Sequence, residues 1–181
     1  RGDGSTIPPS GYRKLLANGK ESMAKGRYYI PAVFSPAPEQ LSRTEVFKEL
    51  EPIFFGDLVK VGHNVKFDAR SVRKYFDNEL PEGPFIDTMI AQHILNENLS
   101  EYSLDKLIAH NFGGFNPYHQ DGKLGAMITQ VPFSKATKYV HLDAKWTWHL
   151  YKMLWQKIQN KEELLSCLRQ DMEVIRVLME M

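Results

Sequence analysis

The chain is 181 residues long, 43% hydrophobic and 12% aromatic, which suits one folded domain with a real core and excludes a disordered chain. Its 23 Lys and Arg nearly balance 22 Asp and Glu, for a formal charge of +1; a nucleic-acid partner therefore has no global field to follow and must be held by a local patch or by metal. A single cysteine, Cys167, excludes an internal disulfide and fits a reducing compartment, and no apolar run reaches membrane length.

Residues 1–26 read as an irregular insertion, punctuated by Pro8, Pro9, Gly11, Gly19 and Gly26. Its polar, turn-rich start does not look like a signal peptide, and Arg1-Gly2-Asp3 carries little weight as an adhesion tripeptide without secretory marks. Arg27 to Phe34 is rich in aromatic and β-branched residues and predicts a strand, with Pro31 pointing to an edge. Ser42-Arg43-Thr44-Glu45 is a capping box that opens a helix to about Phe54, bent or ended by Pro52. The apolar run Leu58 to Val61 predicts a buried strand, broken by Gly62, His63 and Asn64. Asp68 then opens an amphipathic segment with Ala69, Val72, Tyr75 and Phe76 on its apolar side.

A loop from Asn78 to Pro84 leads to a brief strand at Phe85-Ile86. Asp87 is the expected cap of a helix over Thr88 to Asn96, and Ser103 or a neighbour caps Leu104 to His110. Asn111 to Gly125 is a glycine-rich loop carrying Phe112, Phe115 and Tyr118, either a packed loop or a platform on which bases stack. From Ser134 a helix runs to about Ile158, with a core stripe of Trp146, Leu150, Met153 and Leu154. Glu162 to Met181 is a last helix, apolar over much of its circumference and so in want of burial on more than one side. The chain has no CxxC pair, no HxH or HExxH zinc spacing and no Walker-type glycine loop.

Two stretches carry the chemistry. In Val59 to Tyr75, Asn64 and Asp68 stand just past the carboxyl end of a strand, where open α/β sheets place ligands. In the long helix, Tyr139 and Asp143 are four residues apart and share a face. Together, G-H-N-x-K-F-D and Y-x-x-x-D resemble the second and third motifs of the 3′–5′ proofreading exonuclease domain of family A DNA polymerases, the DEDDy branch of the DnaQ-like nucleases. The likeness runs from about Tyr28 to the C-terminus and includes Y-Y-I-P at 28–31 and F-I-D-T-M at 85–89.

The resemblance implies an α/β, ribonuclease-H-like exonuclease fold, a mixed sheet flanked by helices, with the exonuclease domain over 27–158. It implies two Mg²⁺ or Mn²⁺ ions that act on the nucleophile and the leaving oxygen. Asp143 and Asp68 would hold them, and Asp68 and Asp143 should converge in space. Tyr139 would orient the attacking water, since a phenol is too weak an acid to serve unaided as a neutral-pH base. Asn64 would hold Asp68 or the substrate backbone. Phe115 sits near the place where the family sets a residue against the terminal bases. Lys66, Arg70 and Arg73 could touch phosphate, or simply form a solvated helix face. The substrate would be the 3′ end of single-stranded DNA, and the setting the cytoplasm of a bacterial or phage-infected cell, with no membrane partner.

One departure stands out. The family's first motif is an Asp-x-Glu on the opening strand, and only Asp3 and Glu21 precede the first expected strand here. The first strands of the family's sheet also have no counterpart ahead of Arg27, and their omission is favoured over a degenerate, inactive domain. Residues 159–181 resemble the passage from exonuclease to polymerase domain, so a polymerase domain is expected to follow in the same chain. Three functions stay open: proofreading exonuclease, RNA-processing exonuclease of the same superfamily, and non-catalytic nucleic-acid-binding or structural module of a polymerase.

Overall fold

The structure, a computed structural model, describes residues 42–118 and 132–181. The irregular segment 1–26, the expected strand Arg27–Phe34 and the far part of the aromatic loop lie outside the described residues. The described part is mixed α/β and mostly helical. Two compact units divide it, one holding the described residues 42–50, 117–118 and 132–144 and the other 51–116 with 145–181.

The first helix, α1 (Arg43–Phe54), opens with the capping box that the sequence spells. Glu45 N–H donates to Ser42 Oγ at 3.2 Å, while Ser42 N–H and Oγ–H reach back to Glu45 Oε2 at 3.3 and 2.8 Å. The helix runs through Pro52 for two more residues, and Phe55 N–H still finds Glu51 O at 2.9 Å.

The sheet, among the described residues, is two short parallel strands, β1 (Lys60–Gly62) and β2 (Phe85–Asp87), paired Lys60 with Phe85, Val61 with Ile86 and Gly62 with Asp87. The expected strand Leu58–Val61 is shifted. Leu58 and Val59 precede the ladder and are 64% and 54% exposed, so they are not the buried run that their hydropathy suggests. Lys60 brings its ammonium to the carbonyls of Gly56 and Leu58, at 2.7 and 3.1 Å, and over the Phe85 ring. Gly83, at φ +87°, leaves room for this, because a Cβ there would stand 2.6 Å from Lys60 Nζ.

Parallel strands need a crossover. Here it is α2 (Val65–Val72), a 3₁₀ turn at Arg73–Tyr75 and the loop to β2. The helix starts at Val65, three residues before the expected start at Asp68; Asp68 lies inside it and faces solvent. Then follow α3 (Thr88–Leu95), α4 (Leu104–Asn111), α5 (Phe133–Ile158) and α6 (Glu162–Glu180).

Two apolar clusters hold the larger unit together. Ala91, Leu107, Leu150, Leu154, Ile158 and Leu168 join α3, α4, α5 and α6. Val65, Ala69, Ile175 and Met179 join α2 to α6. The stripe Leu168, Ile175, Met179 faces inward at helical spacing, while Val174, Val177 and Leu178 stay exposed. Leu154→Ala should cost about 2–5 kcal/mol by opening a cavity in a tight cluster, read as a lower urea midpoint with an unchanged slope. Val177→Ala should stay within about 0.5 kcal/mol. Equal losses at the two positions would contradict this assignment of the core.

Candidate functional site

The end of β1 is built by hydrogen bonds from β2. Asp87 is 2% exposed and faces Gly62 in the ladder. Its Oδ1 accepts from Asn64 N–H and from Met89 N–H, both at 2.9 Å, and its Oδ2 accepts from Val65 N–H at 2.8 Å. One carboxylate therefore caps two helices, α3 in the ordinary local way and α2 from across the sheet. Asn64 occupies the cap position of α2 in a left-handed conformation, φ 61° and ψ 50°, and its side chain makes no cap bond. Asn tolerates this region better than most residues. Gly62 leaves room beside it, because a Cβ there would meet Val65 Cγ1 at 2.6 Å.

Thr88 and His63 tie the same turn. Thr88 Oγ1 donates to Gly62 O at 3.1 Å, so its single proton is used, and His63 Nδ1 at 2.9 Å must be the donor to it. His63 Nε2 is buried. Burial pushes the imidazole below its ordinary range, partly opposed by the charge of Asp87, by the Tyr102 backbone and by Asp105. Past this turn, Asn64, Phe67, Asp68 and Arg70 are exposed and Lys66 is half-buried. Phe67 is an exposed aromatic on this helix, two-thirds accessible, that hydropathy alone would have assigned to a core.

The second motif lies in the other unit. Tyr139 and Asp143 are both half-buried on α5. Tyr118, a buried residue, donates its phenol proton to Asp143 Oδ1 at 2.6 Å and sets its ring 5.4 Å from that of Tyr139. Tyr118 is thus a partner of the motif carboxylate and not an exposed stacking ring. No pattern in the sequence marks that role, since the two residues are 25 apart. Burial raises the Asp143 carboxyl above the usual carboxylate range, and the Tyr118 bond pulls the other way. Phe115, half exposed, stands with its ring 5.1 Å from that of Trp146. Asp68 and Asp143 fall in different units.

A sequence profile described as 3′-5′ exonuclease matches residues 25–159. The chain belongs to this family, the exonuclease domain of family A DNA polymerases. It is 28% identical over 138 residues to DNA polymerase I of Pseudomonas aeruginosa, covering 72% of this chain and 15% of that protein. It is 27% identical over 148 residues to DNA polymerase I of Borreliella burgdorferi, covering 81% of this chain and 16% of that one. The chain thus spans about a sixth of the length of these relatives.

The family's divalent ions can be tested against the side chains present. Mg²⁺ takes several oxygen ligands and sheds water reluctantly. No group of three or more His, Cys, Asp or Glu comes together among the described residues. Two Asp-x-Glu tripeptides do occur, Asp77-Asn78-Glu79 and Asp171-Met172-Glu173, but neither is on a strand: the first follows the 3₁₀ turn with Asp77 and Asn78 at positive φ, and the second lies in α6. The described donor set does not fit a two-ion centre.

Two titrations check these environments. Tyr118→Phe in the exonuclease domain should raise the Asp143 pKa further, because it deletes a bond to the ionised form. A raised carboxyl pKa means that the unfolded chain ionises first, so this group's contribution to stability is lost as pH rises from about 3.9 through the folded value. Carboxyl-carbon NMR reads the shift directly, and an unchanged or lower value in Tyr118→Phe would refute the bond. For His63 the sign is opposite. The unfolded chain takes the proton first, so stability falls as pH drops below about 6.5. His63→Gln should lose that part of the slope in urea titrations.

Proposed function

We propose that this chain is the 3′–5′ exonuclease module of a family A DNA polymerase, acting on the 3′ end of single-stranded DNA within a longer polypeptide that also carries the polymerase domain. What supports this reading is that one domain, matched to the exonuclease family over 25–159, carries Tyr139 and Asp143 on one helical face and Asn64 and Asp68 at the end of a parallel strand. The ribonuclease-H-like fold belongs to the same proposal, with 27–158 as the exonuclease body, 1–26 as an insertion and 159–181 as the lead into the polymerase domain. So does the setting, the cytoplasm of a bacterial or phage-infected cell; no described helix is long and apolar enough to cross a membrane.

Asp68 and Asp143 are assigned as carboxylates for Mg²⁺ or Mn²⁺, Tyr139 as the phenol that orients water, and Asn64, Phe115, Lys66 and Arg70 as substrate contacts. The missing ligands would be the Asp and Glu of the first motif. On this reading the 181 residues should bind Mg²⁺ weakly and leave DNA intact.

The second reading, a non-catalytic module, draws on one observation. The Asp143 carboxylate is already bonded to Tyr118 and no described ligand set surrounds it. An assay with a 5′-labelled single strand in Mg²⁺ or Mn²⁺ separates the two. The 181 residues should give no ladder. The same chain preceded by a strand bearing Asp-x-Glu should shorten the strand stepwise from its 3′ end, Asp143→Ala should abolish this, and Tyr139→Phe should slow it more mildly. If the extended chain also gave no ladder, the non-catalytic reading would stand.

A further inference from the structure

Helix α5 carries a row of rings that none of the roles above uses. Trp148, Tyr151 and Trp155 stand at i, i+3 and i+7, so they share one face. The Trp148 and Tyr151 ring centroids lie 5.3 Å apart and those of Tyr151 and Trp155 6.0 Å, with interplanar angles of 40° and 35°. Trp155 packs against the core cluster around Leu150 and Leu154. Tyr151 is half-buried and Trp148 is 51% exposed, so the row runs from the core out to solvent. Single exposed rings are ordinary, but joined rings make a patch. All three residues belong to the larger unit, whereas Tyr139 and Asp143 belong to the other.

The charge along this row has one sign. Residues 144–161 hold Lys145, Lys152, Lys157 and Lys161 and neither Asp nor Glu, in a chain whose formal charge is only +1. Lys145 and Lys152 stand three residues before Trp148 and four after it, on the same side of the helix. Lys145 holds its ammonium over the neighbouring Trp146 ring, 5.7 Å from the centroid, and Lys152 is exposed. An apolar protein partner would need only the rings. Rings flanked by cations suit a partner that offers flat π-faces and negative charge together, which is a single-stranded nucleic acid.

We propose that Trp148, Tyr151 and Lys152 form a sequence-tolerant binding surface for single-stranded nucleic acid, with bases stacked on the two rings and a phosphate against the lysine. The surface goes beyond the nuclease reading and uses none of its assigned residues. The probe is a fluorescein-labelled deoxythymidine 12-mer, titrated by anisotropy against the 181-residue chain at several salt concentrations in EDTA. Beside it runs a 12-mer of the same charge made of abasic sites. The thymidine strand should bind about tenfold more tightly than the abasic one, and it should quench tryptophan fluorescence. Trp148→Ala should weaken binding about tenfold, the worth of one stacked base, with less quenching and an unchanged salt slope. Trp148→Phe keeps a ring and should weaken binding less. Lys152→Ala should lower the salt slope by about 0.7, one phosphate. Lys66→Ala with Arg70→Ala, which strips the phosphate contacts assigned to the nuclease site, should leave the quenching in place.

Undiminished binding and quenching in Trp148→Ala would overturn the proposal. So would equal affinity for the abasic strand, which marks a contact for any polyanion. Quenching abolished by the Lys66 and Arg70 changes would also overturn it, since the strand would then reach the rings only from the nuclease site. A dimer of the DNA-free chain that Trp148→Ala dissolves, read by sedimentation, would assign the face to a second copy instead. Should Trp148→Ala lower the urea midpoint, Trp148→Phe and the parent chain carry the test. No quenching of the parent chain up to about 1 mM strand, well above ordinary non-specific affinities, would then refute the surface.

Discussion

A buried carboxylate is costly unless its oxygens meet donors. Asp87 meets three, all backbone N–H groups, and through them fixes where β1 stops, where α2 starts and where α3 starts. The ladder register depends on the same residue, because Gly62 opposite Asp87 gives the chain room to turn back on itself. Thr88 and His63 add a second tie from the next position along, through Gly62 O. The whole carboxyl end of the small sheet is thus held by polar bonds, while the apolar clusters lie among the helices. Position at this edge comes from directional bonds, which tolerate little displacement, together with the packing of Val65 and Phe85 in the second apolar cluster.

How legible this was in the sequence depended on distance along the chain. The capping box at Ser42 is a local pattern, and every bond that it predicts is present. The helices α5 and α6 follow from periodicity over many turns. The strand at 58–61 was misplaced because short apolar runs carry no register of their own; Lys60–Gly62 is selected by its partner, 25 residues on. Asp87 reads locally as the cap of α3, which it is. Its hold on Asn64, 23 residues earlier, cannot be read from spacing. Tyr118 was legible only as an aromatic in a glycine-rich loop. Its bond to Asp143 joins residues that only the tertiary fold brings together.

The family was legible because the motif spacing is chemically narrow: an Asn, a carboxylate one turn on, and a phenol four residues before another carboxylate rarely occur together, and the exonuclease profile matches residues 25–159. Sequence could not show that the helix begins at Val65 and leaves Asp68 on its exposed face, because Asn64 and Asp68 both resemble ordinary helix starts.

Asp87 and Asp143 are the same residue put to opposite ends. Asp87 is nearly inaccessible, and its donors belong to the backbone. Removing any of those bonds means unwinding a helix start, so this carboxylate cannot change partners without local unfolding. Asp143 is half-buried, and the hydrogen bond it accepts from Tyr118 comes from a side chain. A phenol can rotate away about its χ angles while the backbone stays in place. Burial already raises the carboxyl's affinity for a proton, so its charge state as well as its partner is open to change. A group that must meet a succession of partners needs bonds that can be exchanged cheaply. By that criterion Asp87 belongs to the framework, whereas Asp143 keeps a hydrogen-bond partner that can be exchanged.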